Sequence, residues 1–133
     1  MRKPISKELR KKVYEKYDGH CAYCGCKLDY KDMQVDHVVA FGQVYYSRDS
    51  KQVQQMIAND EINGAENLMP SCRQCNFYKG INNIDEFRTK IKDMLSRTCI
   101  DNFQARLAMK YGIIEYHSWD GKFYFEKKQS NTR

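Results

Sequence analysis

NLMPSCRQCNFYKG, residues 67–80, holds two cysteines at CxxC spacing between an upstream asparagine and a downstream CN..K. A single CxxC reads equally as half a metal site, a redox pair or coincidence. The missing half lies upstream, where HCAYCGC (20–26) presents Cys21 and Cys24 at the same spacing. Two such pairs, with Cys72 and Cys75 as the second, complete a tetrahedral zinc site. Gly25, directly behind Cys24, suits the tight turn of a knuckle, where a side chain would crowd the sulfurs. Four thiolates leave no open coordination position, so the ion is expected to be structural. It would staple the two ends of the central segment, which a small core holds weakly. Cys26 offers itself either as a ligand in place of Cys24 or as a nearby thiol, the second reading being favoured, and Cys99 reads as a small buried residue rather than a ligand. His20 adjoins the first pair but is out of ligand spacing. Neither CxxC has the βαβ setting of a dithiol oxidoreductase.

Outward from the cysteines, the pattern is α+β. Ser6 caps a helix expected over 7–17, with Leu9, Val13 and Tyr17 on one face, and Asp18-Gly19 stops it. DMQVDHVV (32–39) alternates as a strand, and 67–70 reads as a second short strand. Between them, 40–65 reads as an insertion with an aromatic loop and a short helix near 51–58. Asn83 caps a helix running toward residue 98, with a core face of Ile84, Phe87, Ile91 and Leu95. A further helix is expected over 102–111, ending at Gly112. The segment from 112 to 127 reads as a β-hairpin around Asp120-Gly121. The whole is one domain, 1–133: an N-terminal helix (6–19), a zinc-stapled core (20–80) and a helical and hairpin extension (83–126).

At 133 residues and 41% hydrophobic content, the chain has enough for a modest core and is not a disordered sequence. A formal charge of +6 favours a polyanionic partner. Nucleic acid leads and a membrane is not expected, because no apolar run approaches spanning length. The opening MRKPISKELR has no apolar core behind its charges, so no signal peptide is expected. A cytoplasmic location follows as the expectation, one in which clustered thiols stay reduced and serve metals. The basic N-terminal helix, with Arg10, Lys11 and Lys12, is the candidate footprint on a DNA backbone.

Asp36-His37 ends the first strand, and Asn76 and Lys79 follow the second cysteine pair three residues apart, on one helix face. A metal drawing the pairs together would make these segments neighbours. Carboxylate and amide oxygens suit Mg²⁺, and an imidazole suits removal of a proton from water. Phosphodiester hydrolysis needs both. Adjacent strand residues nevertheless point to opposite faces, so Asp36 and His37 share a site only where the strand ends, twists or bulges.

CAYC, VDHVV and NLMPSCRQCNFYKG together resemble the HNH endonucleases, in the version with a four-cysteine zinc site and asparagine at the last lettered position. The resemblance spans residues 21–80 and is looser through IDEFR to KFYFEK, which is similar to the tails of small phage and prophage members. It implies a ββα-metal, treble-clef-like core and a DNA endonuclease leaving 5′-phosphate and 3′-hydroxyl ends. His37 would be the general base, Asp36 and Asn76 the ligands of one Mg²⁺ or Mn²⁺, and Asn67 an orienting residue. Lys79 would contact phosphate. The implied partner is DNA, expected to be double-stranded, inside a bacterial host cell, with a phage-packaging or host-defence protein as a further candidate. The alternative is a catalytically silent zinc module of the same shape that binds nucleic acid or a host or phage protein as inhibitor or adaptor.

Overall fold

The computed structural model describes residues 5–39, 51, 55–56, 64–94 and 102–130. Helix α1 spans Lys7–Glu15, and the Ser6 hydroxyl accepts from the Leu9 N–H at 3.1 Å, as the N-cap pattern requires. Val13 is its buried residue. Asp18 and Gly19 both take positive φ, and the chain turns there into the first cysteine pair. The knuckle is built from backbone. Cys21 N–H donates to Cys26 O, Gly25 N–H to Cys21 O, and Leu28 N–H to Gly19 O. Gly25 has φ +82°, and a Cβ there would lie 2.6 Å from the Tyr124 ring.

Strand β1 (Gln34–His37) pairs antiparallel with β2 (Leu68–Ser71), with Gln34 opposite Ser71 and His37 opposite Leu68. Pro70 sits in β2 without loss, because its carbonyl faces outward to accept from Ala22 N–H at 2.8 Å. That bond ties the sheet to the knuckle. All four residues of β2 are buried, since α1 packs on it and the knuckle borders it. β2 runs into α2 (Arg73–Lys79), where Cys72 is the N-cap and Cys75 lies in the first turn.

Helix α3 (Ile84–Lys92) opens with a reciprocal capping box between Asn83 and Glu86. It ends at Lys92, earlier than expected; Leu95 and Cys99 lie outside the described residues. Helix α4 (Phe103–Lys110) is capped by Asn102 and closes at Gly112, as its end signals indicate. Most of the insertion 40–65 also lies outside the described residues; Lys51, Gln55 and Met56, where a short helix was expected, are helical.

The C-terminal hairpin is corrected. Asp120-Gly121 does turn the chain, with Asp120 Oδ1 accepting from Lys122 N–H at 3.0 Å and Gly121 at φ +82°. Helix α5 (Tyr124–Ser130) follows, not a strand. The Glu126 carboxylate accepts from Phe123 N–H at 2.9 Å and is gripped by both terminal nitrogens of Arg88, at 2.7 and 2.9 Å. This local side-chain cap, held in place by Arg88 of α3, starts a helix where the alternation in KFYFEK reads as extended. Phe123 is buried by the turn. It stacks on Phe87 with ring centroids 5.0 Å apart and meets the Tyr23 edge at 5.4 Å. Trp119, expected in the hairpin, packs on Phe123 at 5.1 Å. The fold is therefore α+β: helices around a small two-stranded sheet, joined to a cysteine cluster. Among the described residues no helix is long and apolar enough to cross a membrane.

Candidate metal centre and adjoining polar site

The knuckle and the start of α2 bring four sulfurs together. The Sγ atoms of Cys21, Cys24, Cys72 and Cys75 all lie within 4.8 Å of one another, and Cys24 and Cys72 are 3.9 Å apart. A tetrahedron with Zn–S bonds of about 2.3 Å has edges of roughly 3.8 Å. The donor set and its spacing therefore fit a metal ion, and all-thiolate tetrahedral donors suit zinc. Cys26 is exposed and is not among the four. The Cys72 sulfur already accepts from Cys75 N–H at 3.4 Å, a local contact that orients it.

The thiols' electrostatics point the same way. A hydrogen bond from Cys75 holds Cys21 down to about 4, while burial pushes Cys24 up to about 12. Cys75 is driven upward by its bond to Cys21 and by burial. Thiols this close cannot all ionise by themselves. A divalent cation among them removes the repulsion and releases the remaining protons.

Beside the cluster, three separate pieces of sequence meet at the end of β1. Asn67 is buried, and its carboxamide brackets Val39: Oδ1 accepts from Val39 N–H at 2.8 Å and Nδ2 donates to Val39 O at 3.1 Å. From α2, the Lys79 ammonium donates to His37 O at 3.0 Å. Asn76 lies one turn before Lys79 on the same helix face, half-buried. His37, also half-buried, is the last residue of β1.

β1 stays regular through His37, so its side chains alternate. Asp36 turns inward, 5% exposed, and His37 takes the opposite direction. Both Asp36 oxygens are engaged. Lys79 Nζ lies 3.2 Å from Oδ2 and 3.4 Å from Oδ1, and the Tyr23 hydroxyl makes a short bond to Oδ2. Burial raises the Asp36 carboxyl above its ordinary value, against the opposing pull of Lys79. It lowers the Lys79 ammonium, against Asp36, and raises the Tyr23 phenol, aided by the Asp36 charge.

Two of the expected DNA-contacting cations turn inward. Lys79 is fully buried. Arg10 donates to Tyr30 O and Met33 O, at 2.8 and 2.9 Å, and stacks over the Tyr30 ring. Lys11 and Lys12 are exposed. His20 hydrogen-bonds Tyr17 O and stacks on Tyr124, away from any ligand role. His117 is exposed and pairs with Glu115.

Sequence reasoning missed Tyr23, the residue inside CAYC that caps Asp36. It also missed Lys16, whose ammonium donates to Ala65 O and Leu68 O and so pins the far end of the insertion to α1. Neither has a local sequence signal, since each bonds to a partner brought near only by the fold. No protein-family model matches this chain, and no curated protein matches it.

Proposed function

We propose that this protein hydrolyses phosphodiester bonds in DNA, in the manner of the HNH endonucleases its motifs resemble, with His37 as the general base. One observation carries the reading. The end of β1 at His37, the Asn67 clamp on Val39 and the Lys79 ammonium of α2 meet, on a helix that also carries two of the four clustered cysteines. In this reading zinc occupies the four thiolates and holds β1 and α2 in register. Asn67 keeps the chain beyond His37 from moving. His37 takes a proton from water as its oxygen bonds to phosphorus, the P–O3′ bond breaks, and the leaving 3′ oxygen takes a proton from solvent, giving a 5′-phosphate and a 3′-hydroxyl. The exposed Lys11 and Lys12 of α1 would meet the backbone phosphates.

The Mg²⁺ or Mn²⁺ that the resemblance implies would supply charge for the phosphorane and the leaving oxygen. The donors expected to hold it do not fit as they stand, because the Asp36 carboxylate is taken by Lys79 and Tyr23.

The test is incubation of zinc-loaded protein with supercoiled plasmid in Mg²⁺ or Mn²⁺, beside His37→Ala and an EDTA control. Wild type is expected to relax or linearise the plasmid, and His37→Ala to be slower by about 10²–10⁴-fold. Retardation of DNA on a gel with no cleavage by wild type sinks the nuclease. It would favour a second reading, a zinc-stapled module that binds nucleic acid without cutting it. The Asp36–Lys79 pair is the observation on that side.

A further inference from the structure

We infer that Lys79 is the resident cation of Asp36, and that the Tyr23–Asp36–Lys79 set is a positioning device closed to divalent metal. The set spans the knuckle, β1 and α2, so it joins three elements through one carboxylate. Lys79 is 0% exposed and Asp36 5%, which leaves no room for the water shell that Mg²⁺ retains. An ammonium this deep persists only when paired, and the pairing is met twice, by Asp36 and by His37 O. A divalent ion on the same carboxylate would lie against that ammonium with like charge. It would also have to displace the Tyr23 hydroxyl. The second Lys79 bond shows what the arrangement achieves: it fixes the backbone of His37 to the last turn of α2. Asp36 thus orients His37 indirectly, and any divalent ion used in cleavage takes its ligands outside this pair.

The inference stands whether or not the chain cuts DNA, and its test needs no cleavage. The zinc-loaded full chain is melted with and without Mn²⁺, as wild type, Asp36→Asn, Lys79→Met and the double variant. Wild type is expected to show no Mn²⁺-dependent change in Tm. Each single variant should lose roughly 10 °C, because it strands a buried polar partner. The double variant, with neither charge left, should recover most of that loss. A Mn²⁺-dependent rise in wild-type Tm that Asp36→Asn abolishes overturns the inference. So does a double variant no more stable than the weaker single variant.

Discussion

Asn67 and Val39 exchange hydrogen bonds in both directions across twenty-eight positions of sequence, at 2.8 and 3.1 Å. The side chain of one residue thereby stands in for a further rung of the β1–β2 ladder. It extends the sheet past His37 just where Val38 N–H also bonds back to Asn67 O at 2.9 Å. An aspartate cannot do the same, because it has no N–H to give Val39 O. Asn67→Asp and Asn67→Ala are both expected to cost about 1–3 kcal/mol in urea unfolding. Amide exchange at Val39 should accelerate in both.

Removing the metal should unfold the core. The sheet is two short strands, too small to hold itself, and the sulfur cluster ties the knuckle to α2. Zinc-finger peptides draw about 10–16 kcal/mol of apparent binding energy from one ion. Metal analysis should return one zinc per chain. Cys21→Ser or Cys75→Ser should lose the ion and most of the helical circular dichroism, while Cys26→Ser should keep both.

Arg88 and Glu126 make a forked ion pair joining α3 to the start of α5. Glu126→Gln keeps an oxygen for Phe123 N–H but discards the charge, so it isolates the pair. The cost at neutral pH should be about 1.5–3 kcal/mol. The hydrogen bond from Arg88 holds the Glu126 carboxyl below its ordinary value. A depressed carboxyl contributes stability in full above its unfolded pKa, about 4.3, and loses it as pH falls through the folded value. The difference between wild type and Glu126→Gln should therefore be complete at pH 7 and shrink on acidification below that point.

Gly25→Ala tests how α5 sits on the knuckle. Its φ of +82° strains any residue with a Cβ, and that Cβ would meet the Tyr124 ring at 2.6 Å. The backbone term alone is about 1–2 kcal/mol. The ring must also move, so protection at the Tyr124 and Phe125 amides, which bond to Tyr23 O and Ala22 O, should fall first.

Features governed by spacing along the chain were legible in the sequence. The cysteine pairs, the Ser6 and Asn83 caps and the stop at Asp18-Gly19 all depend on neighbours a few residues away. Both strands were found, β1 two residues shorter at each end than the alternation over 32–39 and β2 shifted by one from 67–70. Three features were hidden because their partners lie far off in sequence. Lys79 reads as a surface cation until Asp36, forty-three positions away, draws it inside. Arg10 looks free until the carbonyls of Tyr30 and Met33 are placed before it. KFYFEK alternates like a strand, yet Arg88 steadies Glu126 and a helix begins instead. The alternation of Asp36 and His37 follows the strand rule, and the regular β1 supplies no bulge to bring them together.

The bonds from Tyr124 and Phe125 back to Tyr23 and Ala22 have a consequence for how the molecule is made. A ribosome releases the first two thiols early, the second two some fifty residues later, and the aromatic cover for the knuckle near the close of the described chain. Contacts so distant in sequence form slowly. Ion capture can begin once Cys75 has emerged, but the shelter of α5 must wait for translation to run on. Throughout that interval the knuckle lacks its aromatic neighbour and faces whatever oxidants and competing metals the surroundings hold, and the rate of synthesis sets how long it stays so.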